Sequence, residues 1–233
     1  MDVTFAPRTI DVPMSEWTVG PPMDFRNAEV DFQYRVGVRH YRSHRWYEAT
    51  EVFQRALEID PHRGEVRLAL GACLLHLDRP EEAMAHFDRA GAGALNERAL
   101  FGKAVALQRL GRLREAEAAY TRLLASDARN KEALSNLIAL YAAAHDFENV
   151  RHYALRLIEI APDSMAALQG LAAASLDSRE YESAFRYCSR IVERTPECVE
   201  AWHNLRLASG HVETTLRMAA AASQSTSQST GRK

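Results

Sequence analysis

Apolar residues recur at helical spacing in paired runs along most of the chain, and prolines close three of these runs. Pro61, Pro162 and Pro196 each end a segment in which Leu, Ile or Val is followed by Glu. Pro196 lies 34 positions after Pro162, and Pro162 lies 101 positions after Pro61, which is three repeats of 34, 33 and 34 residues. Because proline stops a helix, this spacing predicts a repeated helical unit of about 34 residues.

The period divides the chain into five units, each with two apolar runs that predict a helical hairpin. In the second run of the first unit, Ala49, Phe53 and Ala56 recur on one helical face. The small residues let the two helices of a hairpin approach, while the larger residue fills the gap to the next hairpin. The pattern therefore predicts an all-α fold of stacked hairpins. The units are residues 30–63, 64–96, 97–130, 131–164 and 165–198.

The second unit shows the repeated pattern clearly, with Gly71 in its first run and Ala83, Phe87 and Ala90 in its second. Together with the closing prolines and the period, this pattern makes residues 30–198 resemble the tetratricopeptide repeat family. The resemblance implies a right-handed superhelical solenoid of about five hairpins, followed by a C-terminal capping helix. It also implies that the first helix of each hairpin, the A helix, lines a concave surface. The second helix is the B helix.

The first 29 residues show no helical periodicity. Pro7, Pro13, Pro21 and Pro22 forbid a continuous helix, so residues 1–29 are predicted to form an extended arm. The arm carries several large apolar side chains, which indicates that it contacts another surface. We expect it to pack along the first hairpin as a cap. The alternative is that it lies in the groove of this chain or against a neighbouring subunit.

Beyond the fifth unit, the sequence predicts a cap at residues 199–222 and a disordered tail at residues 223–233. Trp202 and Leu205 fall where a sixth A helix would place them, and Gly210 is expected to interrupt that helix. The tail contains a polar run of Ser, Thr and Gln with nothing to bury.

Composition and charge exclude several classes of partner and site. The 29 basic and 31 acidic residues give a formal net charge of −2, so no chain-wide field attracts nucleic acid or anionic lipid. No apolar run approaches the roughly 18 residues of a membrane span, and a secretory signal is not expected. Three cysteines without CxxC spacing argue against disulfides and structural zinc. We therefore expect a cytoplasmic protein, with no nucleic-acid partner and no membrane insertion.

The A-helix positions that face the concave surface predict an apolar groove in the first three units. Tyr34, Leu68 and Phe101 share one repeat position, and basic groups flank the row. Such a groove suits an apolar extended or helical segment of another protein, whose carbonyl or carboxylate groups would pair with the basic residues. The alternative is that these residues pack between neighbouring A helices. The predicted groove residues are Tyr34, Val38, Tyr41, Arg42, Leu68, Ala72, Leu75, His76, Phe101, Val105, Gln108 and Arg109.

A second resemblance concerns the Leu-Gly-Ala-Cys segment at residues 70–73 and the end of the second unit at residues 91–97, where the usual proline is missing. Both are similar to class II chaperones of type III secretion systems, which are cytoplasmic, often dimeric proteins that hold hydrophobic translocators. That family typically has three repeats, and this chain has two more and a cap. The resemblance implies a client-binding set of Tyr34, Tyr41, Leu68, Leu75, Phe101 and Val105.

The sequence contains no recognisable constellation of catalytic side chains. The nine histidines do not combine with carboxylates at the spacing of metal ligands, and no Gly-rich phosphate loop is recognisable. We expect no catalysis, no metal and no cofactor. The sequence thus predicts a non-catalytic interaction module, an adaptor or chaperone for another protein. The alternative is a structural subunit that self-associates, for example as a homodimer, within a larger complex.

Overall fold

The computed structural model describes residues 25–90 and 94–230, and within those ranges the chain is helical apart from short turns. The helices are α1 (Phe25–Arg42), α2 (Trp46–Ile59), α3 (Gly64–His76), α4 (Pro80–Asp88), α5 (Ala94–Arg109), α6 (Leu113–Ser126), α7 (Lys131–Ala143), α8 (Phe147–Ile160), α9 (Met165–Asp177), α10 (Tyr181–Arg194) and α11 (Val199–Thr230). The predicted all-α fold of five hairpins followed by a C-terminal helix is confirmed. None of these described helices has the length and apolar character needed to cross a membrane.

The chain divides into two compact units, with the boundary between residues 133 and 134 inside α7. In the first unit, α1 to α6 form three hairpins. The middle A helix, α3, contacts α1, α2, α4 and α5. Its residues from Gly64 to Leu75 are almost all buried, and Phe53 of α2 and Tyr120 of α6 are buried completely. The A helices of this unit therefore pack against each other as well as against their own B helices.

In the second unit, α8, α9, α10 and α11 pack each against the next along the chain. Leu168, Ala172, Cys188, Ile191 and Ala201 belong to one buried cluster that joins α9, α10 and α11. Burial raises the pKa of the Cys188 thiol to about 11, so this group is protonated at neutral pH. It packs as a small apolar side chain at the position where the first three units carry Phe or Tyr.

Close approach of the helices depends on glycines that lie beneath aromatic rings. A Cβ atom at Gly71 would lie 2.6 Å from the Phe87 ring, and one at Gly102 would lie 2.5 Å from the same ring. A Cβ atom at Gly37 would lie 2.4 Å from the Phe53 ring. The Phe87 ring of α4 thus fills the space between α3 and α5, as the predicted alternation of small and large residues requires.

Each hairpin turns through one residue whose backbone is left-handed. These residues are His44, Asp78, Gly111, His145 and Arg179. The amide of the following residue donates to the carbonyl five positions back, as Arg79 does to Leu74 at 2.9 Å. This Schellman-type closure satisfies carbonyls at the end of each A helix. Only Gly111 adopts the conformation without steric cost.

The predicted N-terminal arm differs from the structure at its end. Helix α1 begins at Phe25, so residues 25–29 are helical and not extended. The last proline of the arm is Pro22, and no residue from there to Arg42 stops a helix. The rest of the arm, residues 1–24, lies outside the described residues, as do residues 91–93 and 231–233.

The predicted break in the C-terminal helix is also corrected. Helix α11 continues through Gly210, and residues 223–230 are helical where a disordered tail was predicted. An interior glycine costs about 1 kcal/mol relative to alanine, which is too little to end a helix that the neighbouring turns support. The Thr214 hydroxyl also donates to the Gly210 carbonyl at 2.8 Å. Glu213, 34 positions after the turn residue Arg179, therefore stays helical.

We expect Arg179→Gly to raise the free energy of unfolding by about 0.5 kcal/mol, because glycine removes the left-handed strain at this exposed turn. The matched opposite is Gly111→Ala, where φ is 71° and a Cβ atom would meet nothing within 4 Å. That change should cost about 1 kcal/mol through the backbone alone. Urea unfolding followed by circular dichroism measures both. A lower free energy of unfolding for Arg179→Gly would show that the left-handed backbone at this residue is not strained.

We expect Gly102→Val to lower the free energy of unfolding by about 2–3 kcal/mol, since the new side chain overlaps the Phe87 ring. The control is Gly210→Ala in α11, where a Cβ atom would meet nothing within 4 Å. It should raise stability by about 0.5–1 kcal/mol through helix propensity. Thermal unfolding compares the two variants, and similar effects would show that the ring does not limit the approach of the helices.

Candidate functional site

The predicted groove residues lie on α1, α3 and α5, the A helices of the first compact unit, and burial divides them into two sets. Those that keep accessible surface are Tyr34, Val38, Arg42, His76, Phe101, Gln108 and Arg109. Those that are buried in the packing of the chain are Tyr41, Leu68, Ala72, Leu75 and Val105.

The buried set is not available to a partner in this structure. Leu68 and Ala72 are each 1% exposed, and Leu75 is fully buried. Their helix, α3, is contacted by α1 and by α5. The prediction that these side chains bind a partner is therefore corrected, because packing between neighbouring A helices uses their surface. We call these buried side chains of α3, the helix that contacts both α1 and α5, the floor.

Tyr34 stands among charged side chains at the beginning of this surface. Burial raises the pKa of its phenol well above the usual value, and Arg98 is the strongest opposing influence. The phenol is neutral at physiological pH. Arg98 belongs to the first turns of α5. The Tyr34 ring also lies 6.0 Å from the Phe53 ring, measured between centroids.

A group of ion pairs lies beside Tyr34, and the sequence pattern did not predict it. Arg63 pairs with Asp31 of α1, and its Nε lies 3.5 Å from Oε2 of Glu65 in α3. These two carboxylates neutralise Arg63. Arg42 is exposed at the end of α1 and has no ion pair within residues 25–90 and 94–230. It is therefore the predicted flanking cation that can meet an anionic group of a partner.

His76 is fixed by aromatic neighbours from the first hairpin. The Tyr41 hydroxyl and His76 Nε2 form a hydrogen bond of 3.0 Å. The Trp46 ring stacks on the imidazole, with centroids 4.0 Å apart and planes 4° from parallel. The Tyr41 ring meets Trp46 edge-on at 4.8 Å. This cluster joins α1, α2 and α3, so His76 serves the contact between two hairpins and not a flexible flank of the groove.

Two other predicted flanking residues make contacts within the chain. Arg109 Nη1 donates to the Leu75 carbonyl at 2.8 Å and lies 3.4 Å from Oδ1 of Asp78. It thereby satisfies a carbonyl at the end of α3. Gln108 Oε1 accepts a hydrogen bond of 3.0 Å from the hydroxyl of Tyr120. Both residues connect elements of the first unit, so neither is an unengaged partner-binding group.

The accessible part of the predicted groove therefore reduces to four side chains, which we call the A-helix face. Tyr34 and Val38 lie one turn apart on α1, followed by Arg42, and Phe101 lies on α5. The face combines two aromatic rings and an aliphatic side chain with one exposed cation. Phe101 is supported from behind by Tyr120, whose ring centroid is 6.1 Å away. The arrangement can bury apolar surface of a ligand and contact one anionic group.

Chemistry that needs a metal or a reactive thiol finds no support among the described residues. No group of three or more His, Cys, Asp or Glu side chains there is placed to hold a metal ion. Cys73 lies on α3 close to the floor of the face, but burial raises the pKa of its thiol to about 12. The thiol is protonated at neutral pH and packs as an apolar group.

Comparisons with known proteins agree with this architecture. The sequence profile of the tetratricopeptide repeat matches residues 41–107, and a second profile of the same repeat matches residues 101–149. No protein of curated function matches the sequence. A solved tetratricopeptide repeat protein from Parabacteroides merdae is similar with a TM-score of 0.64 and 17% identity, covering 83% of this chain and 77% of its own.

Two further solved structures show the same fold. PilF of Pseudomonas aeruginosa has a TM-score of 0.65 and 16% identity, covering 82% of this chain and 94% of its own. YrrB, described as a tetratricopeptide repeat protein with an unusual peptide-binding site, has a TM-score of 0.58 and 16% identity, covering 75% and 90%. At these identities the likeness concerns the fold alone. The two repeat profiles and the five hairpins at a period of about 34 residues show that the chain belongs to the tetratricopeptide repeat family.

Proposed function

We propose that this chain is a non-catalytic interaction module that binds an apolar segment of another protein on the A-helix face. Proteins of the tetratricopeptide repeat family generally act in protein–protein interaction, which supports the general part of the proposal. The observation that carries the specific part is the accessibility of Tyr34, Val38 and Phe101, whereas the other apolar side chains of the predicted groove are buried.

The buried floor makes the face suitable for binding because it fixes the side chains above it. Leu68, Ala72 and Leu75 are packed on both sides, so α1 and α5 keep their spacing when a ligand binds. A preformed surface loses little conformational freedom on association. Apolar side chains of the ligand would then contribute roughly 25 cal/mol for each Å² removed from water.

The charges around the face favour a ligand with a carboxylate near its apolar side chains. Arg42 is exposed at one edge, and Arg98 acts on Tyr34 at the other. A peptide that places its apolar residues on Tyr34 and Phe101 would bring an acidic group or its own C-terminus within reach of Arg42. The peptide-binding site named for YrrB adds support by analogy of fold.

The chaperone function implied by the second resemblance receives no support from the face. Of the side chains in that client-binding set, Tyr41, Leu68, Leu75 and Val105 are buried. Only Tyr34 and Phe101 of that set have surface to offer. We therefore propose binding of a short segment and not the enclosure of a large hydrophobic client.

We expect Tyr34→Ala combined with Phe101→Glu to weaken partner binding by at least about 30-fold, because aromatic anchors of an interface typically contribute 2 kcal/mol or more. The matched control combines Tyr47→Ala and Leu113→Glu, which alter exposed apolar side chains of α2 and α6 in the same unit. Affinity capture from the native organism identifies the partner, and titration of its purified segment measures the loss.

The control variant should bind like the wild type, and circular dichroism should show unchanged helicity in both variants. Equal binding by the Tyr34/Phe101 variant would place the site elsewhere. Size-exclusion chromatography with light scattering tests the self-association alternative. An obligate oligomer that dissociates in the Tyr34/Phe101 variant would show that the face is a contact between copies of the chain.

A further inference from the structure

A trough lies between α10 and α11 in the second compact unit, and none of its lining residues belongs to the A-helix face. Its volume is about 580 Å³, and its lining includes Phe185, Val199, Trp202, His203 and Arg206. Phe185, Val199 and Trp202 are among the most exposed large apolar side chains of the described residues. The lining contains two basic side chains and no carboxylate. We call this surface the α10–α11 trough.

The two preceding units bury the residue that is equivalent to Trp202. Trp202 lies 34 positions after Leu168, which lies 34 positions after Leu134. Both leucines are completely buried, whereas Trp202 is 50% exposed. Its indole is nevertheless fixed, because Nε1 donates to the Pro196 carbonyl at 2.7 Å. A rigid, half-exposed Trp at a position that is buried in the two preceding hairpins is a ready anchor for another helix.

Arg206 marks a second position at which α11 departs from the other A helices. The equivalent residues of the five preceding A helices are buried, and those of α1 and α3 lie against an aromatic ring of the following B helix. In order along the chain they are Gly37, Gly71, Ala104, Ile138 and Ala172. Arg206 is exposed and has no ion pair within residues 25–90 and 94–230. Its charge now faces the place where a B helix would pack.

The chain does not supply that B helix among its described residues. Each earlier A helix ends at a left-handed turn residue, and the last of these is Arg179. The equivalent residue in α11, Glu213, is helical, and α11 continues to Thr230. The face of α11 that carries Trp202 and Arg206 is therefore left without the helix that covers it in the other hairpins.

We propose that the α10–α11 trough binds an amphipathic α-helix of a partner protein that carries a carboxylate at the centre of its apolar face. The partner helix takes the place of a sixth B helix. The five B helices of this chain have Phe53, Phe87, Tyr120, Ala154 or Cys188 at the position opposite the residue that Arg206 replaces. A carboxylate at that position pairs with Arg206, and the flanking apolar residues of the helix cover Trp202, Val199 and Phe185.

The charge of the trough favours a partner over a second copy of this chain. In a two-fold dimer the same patch meets itself. Self-pairing of the trough would bring Arg206 and His203 of one copy towards the same residues of the other, and no lining carboxylate would compensate. A partner helix with an acidic centre has the complementary charge.

A display library of 18-residue amphipathic helices, randomised on the apolar face, tests the proposal by selection against the full chain. Only helices that bind the trough are analysed. Their affinity must fall at least tenfold for the Trp202→Ala variant and must be unchanged for the Tyr34→Ala/Phe101→Glu variant. We expect these binders to carry Asp or Glu at the central position. When the acidic residue of the helix is replaced by Lys, its affinity for the wild-type chain should fall about fivefold or more. The Arg206→Glu variant should instead bind the Lys helix more tightly than the acidic helix.

The matched control is Arg122→Glu, an exposed arginine of α6, which should preserve the preference for the acidic helix. A library that yields no Trp202-dependent binder, or binders without an acidic centre, would overturn the proposal. So would light scattering that shows self-association lost in Trp202→Ala. A Trp202 indole resonance that shifts when residues 1–24 are deleted would assign the trough to the chain itself and would also overturn it.

Discussion

The contact between glycines and the aromatic rings above them is the constraint on which the rest of the first unit depends. Because Phe87 rests on Gly71 and on Gly102, the B helix α4 holds α3 and α5 at one spacing. That spacing brings the A helices into contact and buries Leu68, Ala72 and Leu75 between them. The same geometry leaves surface only on side chains at the edges of the A helices. The proposed binding face therefore consists of the side chains that helix packing leaves accessible, and the packed helices beneath hold it in place.

Much of the helix packing could be predicted from the sequence, because side-chain size at a fixed spacing indicates which helix faces meet. The period given by Pro61, Pro162 and Pro196 predicts the hairpins, and the alternation of Gly or Ala with Phe predicts which faces meet. The continuation of α11 through Gly210 could not be predicted, since a single glycine changes helix stability by only about 1 kcal/mol.

The sequence pattern could not predict which side chains of the candidate site keep accessible surface. Inward-facing positions of the A helices include residues buried between neighbouring A helices and residues on the accessible surface. The sequence pattern alone does not distinguish these two groups. Tyr41 and Leu75 proved to be buried, while Tyr34 and Phe101 keep accessible surface. The stacking of Trp46 on His76 joins side chains 30 residues apart in different hairpins, which a helical period does not report.

Arginines that connect neighbouring elements explain why so few basic groups are available at the predicted groove. Arg109 donates to the Leu75 carbonyl at the end of α3, and Arg151 donates to the Ala174 carbonyl near the end of α9. The carbonyls at the end of a helix need donors, and an arginine from an adjacent helix supplies them. Arg42 and Arg206, in the first and last A helices along the chain, have no such carbonyl among the described residues. A guanidinium without an internal acceptor remains available for a carboxylate from outside, which is why both proposed surfaces select an apolar ligand with an acidic group.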